Sequence, residues 1–191
     1  MPEAFSPDGK QLLFSETSGL LDISILNLDG SDEPKILLGK KEFKEGNSQI
    51  SPNGRWLVYQ SNESGSYQIY VRPFPDVDAG LWQITTEGGT RPLWNQNGRE
   101  LFYYVQSEGA MMAVPVETET SFKFGTPMQL FRGDYLLLTT GTQYSVTEDG
   151  KRLLMIKPAG ATDEESIIEG PRKINIVLNW LEELKERVPM P

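Results

Sequence analysis

Four side chains stand out as groups that could recognise a ligand: Gln49, Arg91, Trp94 and Tyr144. Together they offer an amide, a fixed positive charge, an indole N–H and a phenol. That is the chemistry of non-covalent binding. The groups for bond-breaking chemistry are missing. The 191 residues include no Cys and no His. This removes a thiolate nucleophile, a thiolate-held zinc or iron–sulfur centre, a Ser-His-Asp triad and any imidazole base or metal ligand. Ser64-Gly65-Ser66 is a hairpin tip and not a Gly-x-Ser-x-Gly elbow. The carboxylate pairs Glu164-Glu165 and Glu182-Glu183 fall in a loop and on a solvated helical stretch. Nothing there would desolvate them for glycosidase-type acid/base work. The many turn Asp and Asn residues lack the Asp-x-Asp-x-Asp-Gly run and distal Glu of an EF-hand, and read as turn formers. No metal, no cofactor and no catalytic residue is expected.

The bulk properties narrow the class further. Lys+Arg number 18 against 27 Asp+Glu, a net charge of −9, which argues against binding a phosphate backbone. A 38% hydrophobic and 24% charged composition describes a globular chain and not a disordered one. No stretch approaches the ~20 apolar residues that span a bilayer, so no membrane insertion is expected. The balanced run Lys40-Lys41-Glu42-Phe43-Lys44-Glu45 reads as a solvated connecting loop. Asn62-Glu63-Ser64 has the pattern of a glycosylation acceptor on a surface hairpin, but reads as a plain turn.

The elements that would position the four binding candidates emerge from an internal repeat. Phe5-Ser6-Pro7-Asp8-Gly9-Lys10, Ile50-Ser51-Pro52-Asn53-Gly54-Arg55, Trp94-Asn95-Gln96-Asn97-Gly98-Arg99 and Val146-Thr147-Glu148-Asp149-Gly150-Lys151 align without gaps. Their glycines lie 45, 44 and 52 residues apart. A period near 45 suits a propeller blade of four strands and their turns. Within each copy an Asp/Asn-Gly pair joins two apolar runs, a hairpin signal in which glycine supplies the positive φ. A basic residue follows at a solvated strand start. Three apolar positions then predict a strand buried on both faces. The large apolar residue four before each glycine (Phe5, Ile50, Trp94, Val146) is expected to pack between layers.

Third strands are predicted at Asp22–Leu26, Tyr67–Val71 and Met111–Val114, and fourth strands at Lys35–Leu38, Leu81–Thr85 and Met128–Phe131. The last unit departs from this order. Residues 159–172 read as an exposed, mobile loop, Ile174–Leu178 as a third strand, and residues 179–188 as a short C-terminal helix. Asn179 and Glu182 have capping-box spacing there, and Leu181, Leu184 and Val188 make its apolar stripe. The fold class is therefore all-β: a partial β-propeller of about four blades of four-stranded antiparallel meanders, with a short C-terminal helix. The blades would span about residues 1–40, 46–88, 90–132 and 142–180. Gln49, Arg91, Trp94 and Tyr144 then fall on inner strands or their approaches, facing an axial channel. Each also has a core explanation: Trp94 in the column between blades, Tyr144 one strand step before Val146.

The Phe-Ser-Pro-Asp-Gly-Lys repeat, its apolar run and the Tyr67-Gln68-Ile69-Tyr70-Val71 strand resemble the TolB-like (WD-repeat-like) β-propeller over nearly the whole chain. Ile50–Phe74 and the ending Ile174–Pro189 are similar to the propeller attached to bacterial serine/threonine protein kinases. The third copy departs from the family pattern, with Asn95-Gln96-Asn97-Gly98 where Ser-Pro-Asp-Gly is usual. The resemblance implies a ring of six or more blades, of which this chain would be the C-terminal portion, or an arc completed by a partner copy. It implies a non-catalytic protein- or peptide-interaction or sensor module. The alternative is an accessory, gating propeller of a prolyl-oligopeptidase-like peptidase. The kinase motifs themselves are absent, so any kinase activity would lie on another domain. A protein or peptide partner is expected, with no nucleic acid, and self-association through open propeller edges. The first blade's exposed face is the expected weak point.

Overall fold

The computed structural model describes residues 1–15, 21–137 and 141–157. These residues are all-β. Strands β1 (Pro2–Phe5), β2 (Gln11–Ser15), β3 (Ile23–Asn27) and β4 (Lys35–Leu38) form a first antiparallel meander. A second comprises β5 (Glu45–Ile50), β6 (Trp56–Ser61), β7 (Gln68–Pro73) and β8 (Trp82–Gln83). In the third, β9 (Thr90–Trp94), β10 (Glu100–Val105) and β11 (Ala110–Glu117) are followed by a short β12 (Lys123–Phe124) and by β13 (Met128–Arg132), both paired with β11. The fourth shows β14 (Tyr144–Val146) and β15 (Leu153–Met155). Among the described residues there is no α-helix, only the single 3-10 turns at Val77–Ala79 and Gln106–Glu108. The expected loop 159–172, strand 174–178 and helix 179–188 lie outside the described residues.

One turn builds the corner of every meander. In the first, Gly9 N–H donates to Ser6 O at 2.8 Å, Lys10 N–H to Asp8 Oδ1 at 3.1 Å, and Gln11 N–H to Ser6 Oγ at 2.9 Å. Ser51, Asn53 and Gly54 repeat this in the second, and Thr147, Asp149 and Gly150 in the fourth. The hydroxyl and the Asx oxygen satisfy the N–H groups that the reversing chain would leave bare. The closing glycines sit at φ of 68–73°, where a Cβ is disfavoured. The third turn replaces the hydroxyl by Asn95, whose side-chain N–H donates to Glu100 Oε2 at 2.6 Å.

Alternation then assigns faces. The residue four after each corner glycine points to the following sheet, and those three and five after it point to the preceding one. Leu13 accordingly packs with Ile50, Leu57 and Tyr59. Val58 packs with Trp94, Leu101 and Tyr103, and Phe102 with Val146, Leu153 and Met155. The core is thus three layers between four sheets. The middle layer is richest in aromatic rings. Phe122 sits 5.3 Å from Trp56, 5.5 Å from Trp82 and 6.4 Å from Trp94, centroid to centroid, each such pair contributing about 0.5–1.5 kcal/mol beyond its area. Phe122 belongs to the stretch between β11 and β12, which reaches back over the second sheet. There Thr118 O accepts from Trp56 Nε1 at 2.7 Å and from Asn53 Nδ2 at 3.0 Å.

Three expectations change. The fourth strand of the second sheet is only Trp82–Gln83, shorter than the predicted Leu81–Thr85, because Thr85 Oγ1 turns inward to accept from Ile69 N–H and donate to Gln68. Phe5 occupies the interlayer column but is 64% exposed, since no described sheet lies on that side of the first meander. Glu45 is not in a solvated loop. It opens β5, donates its N–H to Leu21 O at 2.8 Å and is buried.

Candidate functional site

The inner strands β1, β5 and β9 lie side by side, with β14 following, and each of the first three carries a bulge. The register slips between Pro2 and Ala4, between Gly46 and Gln49, and opposite Phe102–Tyr104. An extra residue in one strand re-aims its neighbours and increases the twist. Asn47 and Arg91 hold the bulges of β5 and β9 with φ of 50° and 55°, the two non-glycine residues with positive φ among those described. They occupy the same place in the repeat, seven before the corner glycine. Such backbone costs on the order of 1 kcal/mol and persists where its surroundings fix it.

Those surroundings are specific. Glu3 spans the first two sheets: its Oε1 accepts from Asn47 N–H at 3.0 Å, its Oε2 from Ser48 N–H at 2.7 Å, and the Ser15 and Ser48 hydroxyls also donate to it. At the next bulge Gln60 Oε1 accepts from Arg91 N–H at 2.9 Å. Arg91 Nε donates to Gln143 Oε1 at 3.2 Å, and its carbonyl accepts from Tyr144 OH at 2.6 Å. Burial lowers the Arg91 guanidinium below its usual value and pushes the Tyr144 phenol far above the ordinary range. The raised phenol keeps Tyr144 a neutral hydrogen-bond donor.

The bulged strands enclose a cavity of about 330 Å³. Glu3 of β1, Asn47, Ser48 and Gln49 of β5, Leu93 of β9 and Tyr144 of β14 contribute to its wall. All four sheets thus reach it through their innermost strands. Of the four sequence candidates, Gln49 and Tyr144 line this cavity. Trp94 stands behind it: its indole N–H donates to Gln49 O at 3.3 Å while its ring lies in the interlayer core. Arg91 is likewise behind the wall, holding Tyr144 from its backbone. Glu3, Asn47 and Ser48 were missed by sequence reasoning. Their signal was the shared repeat position of Asn47 and Arg91, which carries no glycine to announce a positive φ. A second, more open depression of about 500 Å³ lies between the corner turns of the third and fourth sheets, bounded by Asn97, Glu148, Asp149 and Arg152.

The wall offers amides, hydroxyls, backbone groups, the Glu3 carboxylate, which is taken up by four donors, and the apolar side chains of Met1, Pro2 and Leu93. Among the described residues no group of three or more acidic, Cys or His side chains could hold a metal ion, and no helix is long and apolar enough to cross a membrane. This arrangement can hydrogen-bond an extended, polar ligand.

No family model and no curated protein sequence matches the chain. Solved structures do. TolB from Acinetobacter baumannii is 20% identical with a TM-score of 0.60, over 83% of this chain and 37% of that one. A TolB-designated protein from Agrobacterium tumefaciens is 22% identical with a TM-score of 0.53, over 68% and 48%. A puromycin-hydrolysing peptidase of Mycobacterium tuberculosis is 17% identical with a TM-score of 0.57, over 79% and 27%. The chain spans less than half the length of each. These likenesses show the fold: a TolB-like β-propeller, present here as a partial ring.

Proposed function

We propose that the chain is a non-catalytic binding module, and that its ligand is an extended peptide segment of a protein partner held at the axial cavity. One observation carries this reading: four inner strands converge on one polar cavity, and the two strained residues, Asn47 and Arg91, sit at its bulges. Gln49, whose Oε1 accepts from Trp94 N–H at 3.4 Å, would present its amide N–H groups to peptide carbonyls, and Tyr144 and Leu93 would supply apolar wall. Glu3 is saturated with donors and acts as the clamp that keeps Asn47 in place. Arg91 and Trp94 brace the wall. The similarity to TolB supports a protein partner, and the sequence resemblance to kinase-attached propellers supports a sensor or scaffold role within a larger protein.

A second reading follows from the likeness to the puromycin-hydrolysing peptidase. There the segment would be an accessory propeller gating a separate hydrolase domain.

The test is selection from a phage-displayed random peptide library on the immobilised chain, followed by calorimetry with the recovered peptide. Asn47→Gly keeps the positive φ and deletes a wall side chain. Gln49→Ala deletes the amide. Each should weaken binding about 10-fold, or ~1.4 kcal/mol, while Lys10→Ala on an outer corner should not. Failure to recover any peptide, or equal binding by all variants, would overturn the reading.

A further inference from the structure

Each innermost strand turns some main-chain N–H groups toward the axis, and in the second and third sheets the preceding sheet caps them. Ser48 and Tyr144 hold the same place in the repeat, six before the corner glycine. In the fourth sheet Thr147 N–H donates to Arg152 O at 2.9 Å, and Ser145 stands opposite Leu154. Antiparallel strands bond through alternate residues. Ser145 therefore shares bonds with β15, and Tyr144 turns its N–H to the axial edge. Ser48 N–H has the same direction in the second sheet, and there Glu3 Oε2 accepts it at 2.7 Å. In the third, Gln60 Oε1 accepts the Arg91 N–H at 2.9 Å. The fourth sheet has neither cap. Pro92 stands in the repeat position of Glu3, fully buried and without a side-chain acceptor. Tyr104 stands in that of Gln60, and its hydroxyl goes to Gly133 O at 3.2 Å. Tyr144 borders the axial cavity beside Gly141 and Thr142. Among the described residues no side chain accepts its N–H there. A main-chain donor so placed takes its acceptor from outside the fold.

We propose that the Tyr144 main-chain N–H is a binding donor of the axial site, and that the ligand group it takes is a neutral carbonyl oxygen. This rests on the peptide-binding reading and names the group that is seated. Gln49 points the same way: its Oε1 is taken by Trp94 N–H, so its remaining groups are donors. One donor thus comes from the second sheet and one from the fourth. Charge decides between a carbonyl and a carboxylate. The Glu3 carboxylate shares the wall, and a second anion in a cavity of about 330 Å³ would face it at short range. A peptide carbonyl brings the acceptor without the charge.

The experiment is amide exchange followed by NMR on the isotope-labelled full chain, without ligand and then with N-acetyl-diglycine N-methylamide at saturating concentration. Sodium acetate at equal ionic strength is the charged comparison. In the ligand-free chain the Tyr144 N–H should exchange about 100-fold faster than two others: Ser48 N–H, its capped counterpart, and Ser145 N–H, which reports opening of the fourth sheet as a whole. The blocked diglycine should slow Tyr144 about 10-fold and move its proton resonance downfield, and acetate should do neither. Tyr144 exchange as slow as that of Ser145 in the ligand-free chain would overturn the assignment, because the N–H would then have its acceptor within the protein. A response to acetate in place of the diglycine would overturn the neutral carbonyl. The peptide-binding reading fails separately. If library selection recovers no peptide, the diglycine response still decides the donor. A recovered peptide that needs Gln49 but leaves the Tyr144 amide unmoved would overturn the donor while that reading stands.

Discussion

Replacing Gly150 by alanine should cost more than the same change at Gly54, although the two glycines close the same turn at φ of 71° and 73°. The shared part is conformational. An L-residue held in the left-handed region costs roughly 1–2 kcal/mol, offset by about 0.4–1 kcal/mol from the stiffer unfolded chain. Around Gly54 a new methyl group meets nothing within 4 Å, so Gly54→Ala should cost about 1 kcal/mol. Around Gly150 it would lie 2.4 Å from Asn95 Nδ2 and 2.9 Å from Glu100 Oε2. Asn95 is fully buried and donates to Glu100 at 2.6 Å. Making room means breaking that charge-assisted bond or lifting the fourth corner off the third sheet. A hydrogen bond to a charged group contributes about 1.5–3 kcal/mol. Gly150→Ala should therefore cost some 2 kcal/mol more than Gly54→Ala. Urea titration followed by far-UV ellipticity gives both values, and amide hydrogen exchange at Tyr144–Val146 shows whether the fourth sheet opens first. Equal costs, within about 0.5 kcal/mol of each other, would refute the packing of the fourth corner against the third.

Other outcomes follow from the same geometry. Phe102→Ala removes a buried knob between the third and fourth sheets and should destabilise by about 3–5 kcal/mol in the same titration. Ser51→Ala leaves Trp56 N–H without its 3.0 Å side-chain acceptor in a buried corner. It should cost about 1–2 kcal/mol, more than Ser6→Ala in the half-exposed first corner. Glu45 is raised above the usual carboxyl range, first by burial and then by Asp22 and Glu63, and its Oε2 lacks a partner. A raised folded-state value means its contribution is most favourable at low pH and is lost as pH rises through that value. Glu45→Gln should therefore stabilise the protein at neutral pH and make little difference below about pH 4, as read from urea midpoints across pH.

The corner turns were legible because their chemistry is local. Ser6, Asp8 and Gly9 satisfy one another within six residues, and the same types recur at Ser51, Asn53 and Gly54. Strand faces were legible because alternation from a fixed glycine decides which side each apolar residue takes. What escaped notice depends on distant partners. Nothing near Asn47 or Arg91 signals positive φ. It is enforced from Glu3 and Gln60, on neighbouring sheets. The burial of Glu45 escaped because its charge run looks solvated, whereas its N–H completes a bond to Leu21 across the seam of the first two sheets. The β12 hairpin and its anchor Phe122 were missed because the gain from burying that ring comes from the preceding sheet. Gln49 and Tyr144 were found by their place on inner strands. Trp94 and Arg91 shared that place, but alternation sends the Trp94 ring into the interlayer core, as it does Ile50, and Arg91 sits at the bulge itself, behind the cavity wall.

The central claim is that four equivalent corners are arrayed in sequence around one axis. The chain has no cysteine, so spin labels can be placed in pairs at Lys10, Arg55, Arg99 and Lys151, the exposed residue after each corner glycine. Electron–electron resonance distances in dilute, monomeric protein measure the arrangement directly. The three neighbouring pairs should give equal distances within the width of the label distribution, with Lys10–Arg99 longer than either neighbouring pair and shorter than their sum. Unequal neighbouring distances, or a Lys10–Arg99 distance no longer than Lys10–Arg55, would contradict a stack of blades about a common axis.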